Sequence, residues 1–194
     1  MKKIIITFIV ITIIATIICN GCLVSVFVPD KQTTENVLKK VPKDAEYICF
    51  VNFKQPSGEE RFYIYDIQHE KFIHSGIVQH GNGKGNTKEH AVFSNAIGSG
   101  CSSLGLYKVL KKDTMHNIPV DCFRLQGLES TNSNAYKRGI VIHPSLTATL
   151  MPFGIWKTYL PLTPESKGCF AVSIHTMKVI DKYFKQGNMY LYAY

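Results

Sequence analysis

The chain opens with one long apolar run, and apolar and polar residues alternate over much of the rest. Apolar side chains fill 20 of the first 28 positions, and no charged residue occurs between Ile4 and Pro29. The other 166 positions hold 68 apolar residues, about 41%, which is ordinary for a soluble globular domain. The pattern predicts one hydrophobic leader followed by one folded domain, and it excludes a multi-span membrane protein, a disordered chain and a fibrous repeat.

The leader has the features of an export signal. Lys2 and Lys3 precede an apolar stretch of 25 residues, Ile4 to Val28, which is long enough to span a bilayer. A positive start before such a stretch is typical of a secretory signal peptide or an N-terminal membrane anchor, with the rest of the chain outside the cytoplasm. We therefore assign residues 1–28 to one of these. An uncleaved anchor and a lipoprotein signal that ends at Gly21-Cys22 fit equally well. The domain is expected to be periplasmic or in the cell envelope, attached to the membrane through this segment.

The character of the chain changes twice after the leader. Residues 29–44 are polar, contain four lysines and two prolines, and predict a linker with room for one short helix. From Tyr47 onward, β-branched and aromatic residues alternate with polar ones, which predicts strands. Three consecutive strands in a meander are expected at Tyr47–Phe53, Arg61–Ile67 and Lys71–Gln79.

Short strands are expected through the rest of a folded domain that spans residues 45–194. The spacing of apolar residues predicts one helix over Thr176–Gln186, ended by Gly187. No strand–helix–strand alternation is visible, which argues against a parallel nucleotide-binding sheet. The fold class is therefore mainly β with one or two helices. Further strands are expected near Ala91–Ser94, Leu104–Leu110, Val120–Leu128, Gly139–His143 and Met189–Tyr194.

Two segments between these elements are predicted as loops. Gly81–Thr87 is rich in glycine but lacks the spacing of a phosphate-binding loop, so a mobile surface loop is expected there. Pro144–Pro164 is long and irregular, and loops of that length in a compact domain are usually functional or mobile.

The net charge of the chain favours an anionic partner. It is +8 for the whole sequence, and Lys2 and Lys3 account for two of these charges, so residues 29–194 still carry +6. A basic surface attracts anions. Outside the cytoplasm, the anionic partner would be cell wall or anionic lipid, and nucleic acid is not expected.

Six cysteines occur, two of them in the leader. No C-x-x-C pair occurs among the other four, so a zinc site has little support, and neither a metal nor a cofactor is expected. Outside the cytoplasm two of the four can form a disulfide, for which Cys101 with Cys122 is the first pair to test, and small buried thiols are the alternative. The four domain cysteines are Cys49, Cys101, Cys122 and Cys169.

Three segments are rich in glycine and small polar residues, whereas buried strands usually contain large apolar side chains. They are Phe93–Tyr107, Gly127–His143 and Glu165–Val172. Cys169 follows a glycine, whose flexibility lets backbone amides turn toward the sulfur and stabilise an oxyanion. A nucleophilic cysteine needs a base, and His143 ends an apolar strand. When these two residues are taken alone, a buried thiol and an unrelated core histidine explain them better than a catalytic pair does.

The three segments together resemble the murein L,D-transpeptidase catalytic domain family, a branch of the YkuD-like L,D-transpeptidases. The resemblance covers roughly residues 47–194 and implies the β-sandwich of those enzymes. The first segment matches the family at Phe93, Ser94, Asn95, Gly98, Ser99, Ser102, Ser103, Leu104, Gly105 and Tyr107, the second at Gly127, Leu128, Glu129, Asn132, Ala135, Arg138 and residues 140–143, and the third at Ser166, Gly168 and Cys169.

The resemblance implies cysteine-based acyl transfer on peptidoglycan stem peptides. Cys169 would attack the carbonyl of a diaminopimelate residue, release D-alanine and form a thioester, which an amine then resolves. His143 would be the base, the Ser166 carbonyl would orient its ring, and the Gly168 and Cys169 amides would form much of the oxyanion hole. Residues expected to shape the substrate groove are Ser94, Asn95, Tyr107, Arg138 and Lys167.

The chain departs from the family at three positions. Lys167 replaces a common histidine, Glu165 replaces a frequent arginine, and Ala171 replaces an asparagine. Nucleophile and base are kept, but the way in which a substrate carboxylate is held is left open. An L,D-carboxypeptidase or endopeptidase that hydrolyses the same thioester, and a non-catalytic cell-wall-binding protein, remain alternatives. A papain-like peptidase fits less well, because its cysteine usually precedes its histidine.

Overall fold

The computed structural model describes residues 28–87, 89–114, 121–150 and 166–194. Nearly the whole leader predicted over residues 1–28, and most of the irregular segment predicted at residues 144–164, lie outside the described residues. Within the described ranges, no helix combines the length and apolar character that crossing a membrane requires.

Strands make up most of the regular structure, and the prediction of a mainly β fold is confirmed. Within the described ranges there are three helices, whereas the sequence predicted one or two. The helices are α1 (Lys31–Leu38), α2 (Leu146–Leu150) and α3 (Ile174–Phe184), and the strands are β1 (Tyr47–Val51), β2 (Glu60–Asp66), β3 (Lys71–Gln79), β4 (Gly105–Thr114), β5 (Asp121–Gly127), β6 (Val141–Pro144), β7 (Phe170–Val172) and β8 (Met189–Ala193).

The eight strands form one closed, barrel-like sheet in the order β1-β2-β3-β7-β6-β5-β4-β8. Neighbouring strands are antiparallel, except that β8 runs parallel to β1 and β6 runs parallel to β7. The predicted meander is confirmed, because β1, β2 and β3 pair in sequence. The strand expected near Ala91–Ser94 is absent, and Phe93 makes an isolated bridge to Ser102 instead.

Alternation along the strands divides the apolar residues between two cores. Phe62 and Ile64 of β2 face the interior of the barrel, whereas Tyr63 and Tyr65 face its outer surface. Successive side chains of a strand point to opposite faces, so β1, β2, β4 and β8 supply both cores.

Helix α1 covers the outer core. Asp30 caps it by accepting hydrogen bonds from the backbone amide and hydroxyl of Thr33. Val37 is 3% exposed and belongs to the outer cluster with Ile48 and Phe50. The segment predicted as a linker, residues 29–44, thus contains a helix that is packed on the barrel.

Helix α3 follows β7 directly and agrees with the helix predicted over Thr176–Gln186. Ser173 caps it by accepting a hydrogen bond from the Thr176 amide, and Met177 and Ile180 pack into the inner core. The helix thereby fixes the position of β7, the strand that follows Cys169.

Candidate active site

The parallel pair β6 and β7 brings His143 and Cys169 to one face of the sheet. Ile142 pairs with Phe170 and His143 pairs with Ala171. Ile142 and Phe170 belong to the inner core, so alternation turns His143 toward the outer face. Cys169 lies just before β7 and two residues before Ala171, so alternation continued past the end of the strand sets it on the side of His143, two positions along, with part of its side chain against the inner core.

The surroundings of the Cys169 sulfur keep it protonated at rest. The sulfur lies 3.8 Å from the Gly139 carbonyl oxygen. Burial raises the pKa of this thiol, while the Val141 amide and the positive charge of Arg138 lower it in part. Because burial dominates, the thiol needs a base to become a nucleophile.

The hydrogen bond of the His143 ring defines its basic nitrogen. Nδ1 lies 2.9 Å from the carbonyl oxygen of Pro144. A carbonyl can only accept, so Nδ1 carries the proton and donates it, which leaves the Nε2 lone pair free to accept a proton. The sequence analysis assigned this orienting role to the Ser166 carbonyl, whereas the structure gives it to Pro144.

Ser166 instead shapes the turn that presents Cys169. Its carbonyl oxygen accepts a hydrogen bond of 2.7 Å from the Asn82 amide. Its hydroxyl donates to the Cys169 carbonyl at 2.7 Å and accepts from the Gly168 amide at 3.2 Å. Because Gly81 and Ser166 form a bridge, the Ser166 carbonyl is directed at the loop after β3. One of the two amides expected in the oxyanion hole, that of Gly168, is thus engaged within the turn.

Position 168 requires a glycine, because of both its backbone conformation and its close neighbours. Its φ of +110° is rare for L side chains. A Cβ atom there would lie 2.6 Å from the Cys101 carbonyl oxygen and 2.9 Å from an Arg138 nitrogen. The Gly168 carbonyl accepts a hydrogen bond from the Ser102 hydroxyl at 3.1 Å. The first and third sequence motifs therefore meet directly beneath the nucleophile.

Arg138 ties the motifs together and does not line a groove. One guanidinium nitrogen donates to the Ser94 carbonyl and the Ser103 hydroxyl, both at 2.8 Å. The other donates to the Ser99 hydroxyl and the Cys101 carbonyl. Arg138 makes no ion pair with any described residue, so no described carboxylate neutralises the charge that acts on the Cys169 sulfur.

Two other residues predicted to contact substrate, Asn95 and Tyr107, are held by hydrogen bonds within the fold. The Asn95 amide donates to the Ser130 carbonyl at 2.9 Å, and its oxygen accepts from the Asn134 amide, which joins two loops. Tyr107 is 0% exposed and its hydroxyl donates to the Ser103 carbonyl, so it has no access to a ligand. Lys167, which was also expected to shape the substrate groove, is exposed to solvent.

Sequence reasoning missed the role of Gly81–Thr87. The stretch was expected to be a mobile surface loop, but backbone amides tie it to the site: Asn82 donates to Ser166, and Gly83 donates to the Gly100 carbonyl at 3.0 Å. The Gly81 amide also donates to the Ser102 hydroxyl at 3.0 Å. The only sequence signal was the glycines themselves, because a Cβ on Gly81 would lie 2.2 Å from the Gly100 carbonyl oxygen.

The four described cysteines are all free thiols, so the disulfide considered for Cys101 and Cys122 is not formed. Cys101 lies beside Asn86, whose amide donates to its sulfur at 3.4 Å. Cys122 precedes Phe123, which pairs with Ile142, so it lies opposite His143 on the outer face. Burial raises the pKa of Cys122, and the nearby Cys169 adds to the effect. Among the described residues, no group of three or more histidine, cysteine or acidic side chains could hold a metal ion.

Distant similarity extends to several solved structures. Bd1075 of Bdellovibrio bacteriovorus shares 17% identity over 77% of this chain and 48% of its own, with a TM-score of 0.47. An L,D-transpeptidase of Xylanimonas cellulosilytica shares 16% identity over 85% of this chain and 70% of its own, with a TM-score of 0.41. The helical cell shape determining protein Pgp2 of Campylobacter jejuni shares 14% identity over 78% of this chain and 48% of its own, with a TM-score of 0.48. The chain thus spans about half the length of Bd1075 and of Pgp2.

A comparison with curated protein sequences gave no significant match. A family model described as the L,D-transpeptidase catalytic domain matches residues 22–194, which is most of the sequence. This match confirms the resemblance that the three motifs indicated. The chain therefore belongs to the L,D-transpeptidase catalytic domain family.

Proposed function

We propose that the protein is an exported, cysteine-dependent acyltransferase that joins peptidoglycan stem peptides by the L,D-transpeptidase reaction. One observation carries the proposal: the parallel pairing of β6 with β7 puts Cys169 and His143 on one face, with Nε2 of the histidine left to accept a proton. A thiol kept neutral by burial needs a base to become a nucleophile, and His143 is the base that this face of the sheet offers.

The first half-reaction forms a thioester. His143 Nε2 takes the proton of the Cys169 thiol, and the sulfur attacks the diaminopimelate carbonyl of a donor stem. The bond to D-alanine breaks, and the proton held by His143 passes to the leaving amine. In this proposal the Cys169 amide stabilises the oxyanion that forms in between.

The second half-reaction transfers the acyl group to an acceptor. A neutral amine of another stem forms the new amide bond, the carbon–sulfur bond breaks, and one amine proton returns to the sulfur through His143. If water takes the place of the amine, the outcome is hydrolysis, as in a carboxypeptidase or endopeptidase.

Product analysis tests this proposal. The protein is incubated with purified tetrapeptide muropeptides, and the products are followed by mass. We expect dimers joined between diaminopimelate residues, made by the wild type and by Cys122→Ala but not by Cys169→Ala. Shortened stems without dimers would establish a hydrolase instead, and identical products from Cys169→Ala would refute cysteine catalysis.

Export is the second part of the proposal, supported by Lys2, Lys3 and the apolar stretch behind them. Palmitate labelling and processing that is sensitive to globomycin would identify a lipoprotein. An unlabelled full-length form in the membrane would identify an anchor. Recovery of the full-length protein only from the cytosol would contradict both.

A further inference from the structure

One arginine lies on the same outer face as the proposed nucleophile and is absent from the family motifs. Arg124 pairs with Val141 across β5 and β6. Extending the pairing of β6 with β7 by one residue sets Val141 level with Cys169. Phe123 and Leu125 on either side belong to the inner core, so alternation turns Arg124 outward. The row Arg124–Val141–Cys169 therefore crosses β5 and β6 and ends at the residue just before β7.

The guanidinium of Arg124 is held from two sides. Its Nε donates to the Asp113 carboxylate at 2.9 Å. Its plane lies over the ring of Tyr136, 5.5 Å from the ring centroid. An arginine has five N–H donors, and among the described residues Asp113 is the only hydrogen-bond partner of this one. The two terminal nitrogens thus form an oriented fork that suits a carboxylate.

The fork is accessible to solvent. The Arg124 side chain is 26% exposed, and Tyr136 beside it is 55% exposed. The charge of Lys111 also acts on Asp113, so a second positive charge lies near this ion pair. Tyrosine and arginine are common at the centre of binding surfaces.

The separation of the fork from Cys169 sets which part of a ligand it can reach. Strands in a sheet lie about 4.8 Å apart, so the row spans about 10 Å from Cys169 to Arg124. An extended peptide covers about 3.4 Å per residue, so this distance is longer than one residue. A carboxylate held at Arg124 therefore belongs to a residue other than the one whose carbonyl Cys169 attacks.

We propose that Arg124 is a specificity residue that binds the free α-carboxylate of the D-isoglutamate preceding diaminopimelate in the donor stem. This inference rests on the proposed function. It also supplies a carboxylate-binding arginine in a chain where Glu165 replaces the arginine frequent in relatives. The Tyr136 ring would cover the aliphatic part of the same residue.

Two donors that differ in one group test the inference on the full-length protein. One tetrapeptide muropeptide carries D-isoglutamate and the other carries D-isoglutamine, which has an amide in place of the carboxylate. The rate of acylation of Cys169 is followed by intact mass. We expect the wild type to prefer the isoglutamate donor, and Arg124→Gln to reduce that preference roughly tenfold, as for a charged hydrogen-bonded pair. Arg124→Lys should restore part of it, because charge returns without the fork.

Lys182→Gln is the matched control, since this exposed lysine on α3 lies over its neighbour Tyr183 and outside the row. It should keep the wild-type preference. An equal effect of Arg124→Gln on both donors, or no donor preference in the wild type, would overturn the inference alone. Absence of acylation by either donor in the wild type would refute the proposed function, and the inference with it.

Discussion

The positive charge that acts on the proposed nucleophile belongs to Arg138, a residue engaged entirely with the loops around it. Its guanidinium lowers the pKa of the Cys169 thiol against the larger effect of burial. It therefore acts as a positioning residue in two ways, by holding the first motif beneath Gly168 and by favouring the thiolate.

We expect Arg138→Met to raise the pKa of Cys169 and to slow its alkylation by iodoacetamide at neutral pH by roughly three- to tenfold. Peptide mapping would follow Cys169 among the other thiols across a pH series. Arg138→Lys retains the charge, so its alkylation rate should lie between those of the wild type and Arg138→Met. A pH profile that is the same in all three proteins would show that the arginine has no electrostatic role.

At the residue scale, the sequence predicted which residues carry the chemistry better than it predicted which contacts each residue makes. Cys169 and His143 were found through their motifs, and the structure places both on one face. Asn95 and Tyr107 were expected in the groove but join loops and fill the core. A motif indicates that a residue is required, but it does not say why. A residue can be required for hydrogen bonds within the fold as well as for contact with substrate.

At the scale of elements, the turn before β7 depends on a glycine that no other residue can replace. Gly168→Ala adds a Cβ atom that lies 2.6 Å from the Cys101 carbonyl oxygen, at a φ of +110°. We expect the free energy of unfolding to fall by roughly 3 kcal/mol or more, through strain and the clash together. Urea denaturation would measure the loss.

Gly98→Ala is the matched control for that substitution. Gly98 also has a positive φ, of +79°, but a Cβ atom there would meet nothing within 4 Å. Only the strain of the left-handed conformation applies, which costs about 1–2 kcal/mol. Equal losses in the two variants would mean that the contact beneath Gly168 does not constrain the turn.

Helix α1 should contribute to stability although the sequence predicted a linker at its position. Val37→Ala removes apolar surface that packs on Ile48 and Phe50, and should lower the free energy of unfolding by roughly 1–2 kcal/mol. Lys31→Ala is the control, because the Lys31 side chain is 91% exposed. If Val37→Ala and Lys31→Ala unfold at the same urea concentration, the helix is not part of the folded domain.

The strands and the last helix were predictable because their apolar residues recur with clear periods over many positions. Helix α1 was anticipated only as one short helix within a linker, since it buries only Thr34 and Val37 and Leu38 is its one other apolar residue. The role of the loop at Gly81–Thr87 was hidden for another reason. Its ties to Ser166 and Gly100 use backbone amides, which every residue except proline has, so no side-chain pattern marks them.

At the scale of the whole molecule, two histidines make stability depend on pH. Burial, with the nearby His175 charge, lowers the pKa of His74 to about 4, and burial, with Arg61, lowers the pKa of His80 to about 4. Both titrate near 6.5 in the unfolded chain, which therefore binds more protons between these two pH values. Stability is complete above pH 6.5 and declines as the pH falls toward 4.

Between pH 7.5 and pH 5.0, each of these histidines should reduce the free energy of unfolding by about 2 kcal/mol. Urea denaturation at the two pH values measures the sum. His74→Gln keeps a donor for the Thr176 hydroxyl, which lies 3.0 Å from the ring, and should remove about half of the effect. A wild type equally stable at both pH values would contradict the assignment.

The central claim is that Cys169 forms the acyl-enzyme. The most direct measurement is the intact mass of the full-length protein after brief exposure to a tetrapeptide muropeptide, followed by mapping of the modified peptide. We predict a mass increase equal to the donor without its D-alanine, located on Cys169, present in Cys122→Ala and absent in Cys169→Ala. An unmodified wild type, or an adduct that persists in Cys169→Ala, would contradict the account.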